Sequence, residues 1–157
     1  MEGTRPIALA GYLGGQLSLL ALLAFTLVRG RSHGPPALSI GGWALVALGL
    51  ALALASARAM RGSFTPWPAP RPDGRLHTSG PFRLVRHPVY SGLLVASLGV
   101  VLVRPGLLQL AMLAAFGVLL TRKAQLEERL LRERFDGYPA YAARTGMFLP
   151  HSARLRP

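Results

Sequence analysis

Residues 7–28 read IALAGYLGGQLSLLALLAFTLV and contain no Asp, Glu, Lys, Arg or His. Folded as a helix, a run of this length crosses the ~30 Å hydrocarbon core of a bilayer. Residues 37–57 form a second run of the same kind. The sequence therefore predicts two membrane-spanning helices within residues 1–60.

Two shorter apolar runs, residues 89–103 and 106–120, lie in the second half of the chain and are separated by Arg104-Pro105-Gly106. Each run is shorter than the ~20 residues that a spanning helix usually needs. A turn of this composition between apolar runs predicts a tight helical hairpin. A re-entrant pair of helices is the alternative that the short lengths leave open.

Polarity rises after the hairpin, but the helical period continues through residues 122–135. The Asp-Gly pair at 136–137 then ends this helix. A second short helical segment is predicted to begin at Tyr138-Pro139 and to end near Gly146.

Residues 61–81 are rich in Pro and Gly and predict a long loop with little regular structure. The predicted fold class is therefore an all-α, polytopic membrane protein with about four transmembrane helices, including a helical hairpin in the C-terminal half, followed by cytoplasmic helices. We expect one integral membrane domain over residues 1–157. It contains two N-terminal spans in 1–60, a cytoplasmic loop in 61–87, and the hairpin with the C-terminal helices in 88–157.

The formal net charge is +12, and the basic residues cluster at the ends of the apolar runs. Cytoplasmic loops retain Arg and Lys, so the more basic side, with both termini, is predicted to be cytoplasmic. On that side lie Arg5, Arg58, Arg61, Arg71, Arg75, Arg83, Arg86 and most basic residues after Arg122, against Arg29, Arg31 and Arg104 on the other. This distribution indicates membrane lipids as partners and, without interleaved aromatic residues, argues against nucleic acid. The absence of cysteine excludes disulfides and cysteine metal sites, and no metal is expected.

The triplet Arg86-His87-Pro88 immediately precedes the third apolar run. Proline is favoured at the first helical position, so Arg86 and His87 are predicted to lie at a helix N-terminus, with Tyr90 in the first turn. Free backbone N–H groups and the helix dipole favour an anion there, and Arg86 adds a fixed positive charge. The simpler interpretation is structural: His87 caps the helix, Arg86 extends to the headgroups, and Tyr90 belongs to the interfacial aromatic belt.

The chain has only six acidic residues, and four of them occur together after the fourth apolar run. Glu127 falls on an apolar stripe of the predicted helix, where a carboxylate is costly unless it pairs with a cation. The ordinary partners are Lys123 for Glu127 and Arg132 for Glu128. The alternative is a ligand that carries both charges. S-adenosylmethionine has a carboxylate for Arg86 and an ammonium for either glutamate, whereas a nicotinamide dinucleotide phosphate lacks such an amine.

The run GPFRLVRHPVYSG, followed after one apolar hairpin by EERLLRERFDGYPAYAARTGMFLP, resembles the isoprenylcysteine carboxyl methyltransferase and phospholipid methyltransferase superfamily of integral membrane enzymes. The matching residues are Gly80, Pro81, Phe82, Arg86, His87, Pro88, Val89, Tyr90, Glu127, Glu128, Leu131, Phe135, Gly137, Tyr138, Tyr141 and Pro150. The resemblance implies a cytosol-facing pocket for S-adenosylmethionine and a substrate that enters laterally from the membrane. The residues expected to bind the cofactor are Arg86, His87, Pro88, Tyr90, Glu127, Glu128, Tyr138 and Tyr141.

The reaction expected from this resemblance is transfer of a methyl group to a lipophilic or small carboxylate, thiol, amine or hydroxyl acceptor. Arg86, His87 and Tyr90 are the expected catalytic residues. Arg86 would hold the cofactor carboxylate, and His87 or Tyr90 would take a proton from any acceptor other than a carboxylate. The small size of the chain and the bacterial members of the superfamily favour a bacterial inner membrane.

Two other functions stay open on the sequence alone. One is an NADPH-dependent membrane reductase that acts on a sterol-like or lipid double bond. The other is a non-catalytic membrane scaffold. The residues do not indicate the methyl acceptor or the oligomeric state.

Overall fold

A computed structural model of the protein describes residues 6–29, 35–60 and 75–151. Within these ranges the secondary structure is helical, apart from one isolated β-bridge. The helices are α1 (Pro6–Arg29), α2 (Pro36–Ala59), α3 (Pro88–Val103), α4 (Leu107–Arg134) and α5 (Tyr138–Arg144), with a short 3-10 helix at Gly80–Arg83 before α3. The predicted all-α membrane fold is confirmed. Most of the predicted loop, residues 61–74, and the two chain ends that are predicted to be cytoplasmic lie outside the described residues.

Three helices are long and apolar enough to cross a membrane: residues Ala10–Arg29 of α1, and the whole of α2 and α4. Helix α3 has 16 residues and is about 24 Å long at ~1.5 Å per residue. It is nevertheless the most enclosed helix of the part that the structure describes. Its buried residues are Pro88, Tyr90, Ser91, Gly92, Ala96, Ser97, Gly99, Val100, Val101 and Val103. Against the prediction of about four spans, the described residues contain three helices long enough to span and one shorter apolar helix, α3.

The predicted hairpin is present as α3 and α4, which are joined by Arg104-Pro105-Gly106. Helix α3 begins at Pro88, as the sequence predicts. Helix α4 is continuous over 28 residues, so the apolar run and the polar segment that follows it form a single helix. The glutamate pair is therefore on the same rigid element as the fourth apolar run.

Helix α2 packs antiparallel along α3 at short range because glycines face each other across the contact. Gly42 lies against Gly99, and Gly49 lies against Gly92. A spacing of seven residues in each helix keeps both glycines on one face. In membranes, small residues of this kind let two helix backbones approach closely and gain packing contacts.

Helix α1 packs on α4 and α3. Leu23 of α1 forms an apolar cluster with Val100 and Met112. A second cluster lies nearer the start of α3 and consists of Tyr90, Phe116, Leu120 and Ala124. The core of the described bundle therefore lies between α1, α3 and α4, beside the residues that the sequence analysis assigns to the site.

Replacing Gly42 with Ala should destabilise the protein. Its Cβ would lie 2.7 Å from the carbonyl oxygen of Gly99 and 2.9 Å from the backbone nitrogen of Val103, and overpacking of this kind costs about 1–3 kcal/mol. Gly41 is the matched control, because a Cβ there meets nothing within 4 Å. Thermal unfolding in detergent measures the difference. Equal melting temperatures for Gly42→Ala and Gly41→Ala would contradict the close α2–α3 contact.

Candidate functional site

The segment that leads into α3 pairs with a segment near the end of the described chain. Val85 and Gly146 form a parallel bridge. The backbone N–H of Arg86 donates to the carbonyl oxygen of Gly146 at 2.8 Å, and that of His87 donates to Met147 at 3.1 Å. These bonds hold the start of α3 against the residues that follow α5.

The side chain of Arg86 connects three segments of the chain. Its Nε donates to Oε1 of Glu128 at 2.7 Å, and its Nη1 donates to the carbonyl oxygens of Ala142, at 3.0 Å, and Thr145. Carbonyl groups at a helix C-terminus lack intrahelical partners, so the guanidinium caps α5 while it pairs with α4. Only 13% of the Arg86 side chain is exposed. A charge that is this well buried needs such partners to be tolerated.

His87 and Tyr90 contact the same two carboxylates from the start of α3. Nδ1 of His87 lies 3.4 Å from Oε2 of Glu127, and Nε2 lies 3.3 Å from Oε1 of Glu128. The imidazole stacks on the Tyr90 ring, with centroids 5.4 Å apart and planes within 4°. The Tyr90 hydroxyl donates to Oε1 of Glu127. We refer to Arg86, His87, Tyr90, Glu127 and Glu128 as the charged cluster.

The two glutamates set the protonation of His87. Burial lowers the pKa of His87, but hydrogen bonds and negative charge from Glu127 and Glu128 outweigh burial and raise the pKa above its ordinary value of 6.5. The protonated imidazole has two N–H donors. Each ring nitrogen faces a carboxylate oxygen, so the geometry also favours the cation.

Two tyrosines of α5 are buried beside the charged cluster. The Tyr141 hydroxyl donates to the carbonyl oxygen of Phe82 at 2.7 Å and ties α5 to the 3-10 helix. Tyr138 is 1% exposed, and its hydroxyl has no hydrogen-bond partner among the residues that the structure describes. Burial, with the negative charge of Glu128, raises the pKa of Tyr138. Its phenol is therefore a protonated donor directed at no described acceptor.

The structure places all the sequence-predicted site residues in one region at the start of α3. These are Arg86, His87, Pro88, Tyr90, Glu127, Glu128, Tyr138 and Tyr141. Pro88 occupies the first position of α3 and contributes no side-chain bond to the cluster that the structure describes. Contact of these residues with a cofactor stays a prediction.

The pairings inside the cluster are not the ordinary ones considered from the sequence. Glu127 bonds to Tyr90 and His87 across the hairpin. Glu128 lies 3.9 Å from Arg132 on its own helix, but Arg86 is the closer cation. The sequence predicts an anion site at Arg86, but the Arg86 guanidinium already donates to three acceptors within the protein.

The role of the backbone after α5 was not predicted from the sequence. The carbonyl oxygens of Thr145, Gly146 and Met147 accept hydrogen bonds from Arg86 and His87, and that of Phe148 accepts one from the Ser91 hydroxyl at 2.8 Å. Backbone acceptors leave no mark in residue types. The only signal was that residues 146–150 belong to the second matched motif.

Comparison with known proteins identifies the family. The sequence pattern of the phospholipid methyltransferase family matches residues 38–137, which is more than half of the chain. The chain belongs to this family of membrane methyltransferases. The match includes α2 from residue 38 onward and the whole of α3 and α4, and with them every residue of the charged cluster. The resemblance identified from the two motifs is thereby confirmed.

Two individual proteins are similar to the chain. The cobalt-zinc-cadmium resistance protein CzcN of Cupriavidus metallidurans is 36% identical over 87 residues, which are 55% of this chain and 40% of that protein. The solved structure of the eukaryotic intramembrane Ras methyltransferase ICMT (isoprenylcysteine carboxyl methyltransferase) has a TM-score of 0.66 at 22% identity, and the alignment covers 94% of this chain and 53% of that one. This structural likeness concerns the fold. The chain spans about half, or less, of the length of either protein.

Within residues 6–29, 35–60 and 75–151, no group of three or more His, Cys, Asp or Glu residues could hold a metal ion. The two carboxylates of the cluster instead face the guanidinium of Arg86, the imidazole of His87 and the hydroxyl of Tyr90.

Removing the buried cation of the cluster should be far more costly than removing the exposed one. Arg86→Ala leaves Glu128 buried without its closest partner, and such a change costs about 3–5 kcal/mol. Arg132→Ala is the matched control, because this arginine also approaches Glu128 but its side chain is 52% exposed, and exposed pairs contribute under about 1 kcal/mol. Denaturant unfolding in detergent compares the two variants. Similar losses of stability would contradict the central role of Arg86.

The raised pKa of His87 predicts how stability depends on pH. A group whose pKa is higher in the folded state stabilises the protein fully below its unfolded pKa, near 6.5, and loses this contribution as the pH rises through the folded value. The melting temperature of the wild type should therefore fall, relative to that of His87→Gln, as the pH rises above about 6.5. Parallel pH profiles for the two proteins would show that His87 does not bind its proton more tightly when folded.

Proposed function

We propose that this membrane protein transfers a methyl group from S-adenosylmethionine to a lipophilic or small acceptor with a carboxylate, thiol, amine or hydroxyl group. The observation that carries the proposal is the charged cluster, in which a guanidinium, an imidazole and two carboxylates meet at the start of α3. Family membership supports methyl transfer as the reaction. The excess of arginine around this end of the bundle supports a cytosol-facing site and cytoplasmic termini. The small size of the chain favours a bacterial inner membrane.

The donor set fits a ligand that carries both signs of charge. Glu127 is the more accessible carboxylate, with 17% of its side chain exposed against 9% for Glu128. We therefore assign the ammonium of the cofactor to Glu127. The Tyr138 hydroxyl, a buried donor without an acceptor in the described part of the chain, fits a carboxylate or ribose oxygen of the same ligand.

This assignment changes the role proposed for Arg86. Three of its N–H donors are directed at Glu128 and at α5, so we propose that it mainly orients the site and binds the cofactor carboxylate with donors that remain. Glu128 then keeps Arg86 and His87 in place. Orientation of this kind lowers the entropic part of a reaction barrier.

S-adenosylmethionine, when bound, supplies an electrophilic methyl group to the acceptor. A carboxylate acceptor loses no proton, so the residues need only orient it and exclude water. For an amine, thiol or hydroxyl acceptor, the Tyr90 oxygen is the proposed first proton acceptor as its own proton passes to Oε1 of Glu127. His87 is less suited to this task, because both carboxylates favour its protonated form.

Ligand-dependent stabilisation tests the cofactor directly. A ligand at ~100 times its dissociation constant adds about 2.7 kcal/mol to the free energy of unfolding. We expect S-adenosylmethionine and S-adenosylhomocysteine to raise the melting temperature of the detergent-purified protein, and Glu127→Gln to weaken both effects. Glu133→Gln is the matched control, because this glutamate lies on the same helix but is exposed.

Three outcomes would contradict the proposal in different ways. Equal ligand effects in folded Glu127→Gln and in the wild type would remove Glu127 from the site. Stabilisation by NADPH alone would favour a membrane reductase. A folded protein that binds neither cofactor in the presence of a lipid extract would favour a non-catalytic scaffold.

A further inference from the structure

Lys123 is a buried cation outside the predicted site. It is 1% exposed, and its neighbours Leu120 and Ala124 on α4 are fully buried. A lysine near the end of a membrane helix can usually extend to the headgroups and keep its ammonium hydrated. Lys123 faces the interior of the bundle instead, where burial of the charge is costly unless it is compensated.

The ammonium of Lys123 connects α1 to the charged cluster. Its Nζ donates a hydrogen bond to Oε1 of Gln16 at 2.8 Å. The same atom lies 5.2 Å from the centroid of the Tyr90 ring, within the range of a cation–π interaction. One polar residue of the first helix therefore restrains a cation that lies over an aromatic ring of the site.

Tyr90 is thus held by two oppositely charged residues of α4. The ammonium of Lys123 lies over the ring of Tyr90. The hydroxyl of Tyr90 donates to Glu127, which lies one helical turn after Lys123 on α4. Lys123 is also close enough to Glu127 to interact with it electrostatically. A displacement of the Tyr90 ring would consequently also displace the Glu127 carboxylate that its hydroxyl contacts.

We infer that Lys123 and Gln16 are positioning residues that hold Tyr90, and through its hydroxyl Glu127, in the orientation that the cofactor site requires. Helix α1 precedes residue 38, where the family match begins. The first helix therefore adds a residue to a site whose other side chains lie within the family pattern or in α5. The inference rests on the proposed function, because Glu127 is the residue that we assign to the ammonium of the cofactor.

Four variants test this inference. Lys123→Met removes the charge at similar length, Lys123→Arg retains it, and Gln16→Leu removes the acceptor. Arg122→Met is the matched control, because it removes an exposed charge from the adjacent position. We expect Lys123→Met and Gln16→Leu to weaken binding of S-adenosylhomocysteine about tenfold, which corresponds to ~1.4 kcal/mol. Arg122→Met should bind like the wild type, and Lys123→Arg should bind more tightly than Lys123→Met.

Melting temperatures separate positioning from a general structural role. Lys123→Met removes the cost of burying an ammonium but leaves Oε1 of Gln16 without its donor, so the two effects on stability oppose each other. We therefore expect only a small change in the melting temperature of Lys123→Met while its binding weakens. Wild-type affinity in Lys123→Met overturns the inference. Equal losses of affinity and melting temperature in Lys123→Met and Lys123→Arg also overturn it, because they would show that the site only needs the native packing.

A readout without ligand distinguishes failure of this inference from failure of the proposed function. If the wild type binds no adenosyl ligand, the proposed function fails, but the titration of His87 still reports on Lys123. The groups that face His87 are Arg86, Tyr90, Glu127 and Glu128. Lys123→Met removes a positive charge near these groups, which should raise the pKa of His87. The fall in stability that depends on His87 should therefore occur at higher pH in Lys123→Met, but at the wild-type pH in Lys123→Arg. If the pH midpoint of this fall in stability is the same in Lys123→Met as in the wild type, the inference is overturned.

Discussion

The bond between Arg86 and Glu128 is the interaction on which the arrangement of the site depends. It joins the segment before α3 to the polar end of α4, and the same guanidinium caps the end of α5. Burial of two charges is repaid only when the geometry is good and the remaining donors and acceptors are satisfied. A planar guanidinium with several fixed N–H groups meets this demand, whereas a lysine at the same position has no fork of donors to distribute over three segments.

The glycine contact between α2 and α3 explains how so short a helix remains at the centre of the bundle. Membrane helices gain little from apolar burial alone, so close backbone approach and van der Waals packing must hold them together. Gly42, Gly49, Gly92 and Gly99 provide that approach along most of α3. Because α3 is fixed on this side, His87 and Tyr90 at its start are held facing α4. The packing of α2 therefore supports the site through α3.

Sequence patterns predicted the elements of this protein better than the partners of its side chains. The apolar runs, the proline at the start of α3 and the Asp-Gly break after α4 each follow from local physics, and all appear in the structure. A helical stripe shows which face carries Glu127, but it does not show that Tyr90 lies opposite. Local spacing offered Lys123 and Arg132 as partners, whereas the tertiary fold brings residues some forty positions away into closer contact. The motif resemblance grouped these residues correctly because it compares whole sites rather than single helices.

The internal pairing of the charged cluster also bears on which ligand it suits. Its two carboxylates face one guanidinium and one imidazole, so the charged cluster itself carries balanced charges. In the proposed complex, the ammonium of a ligand with one carboxylate and one ammonium would pair with Glu127, and its carboxylate would pair with Arg86. No buried charge of either sign would then lack a counterpart. In the proposed exchange, the accessible edge of Glu127 would be the acceptor and the Tyr138 hydroxyl, which has no acceptor among the described residues, would be the donor. Preorganisation of this kind favours binding, because the protein groups are already ordered before the ligand arrives.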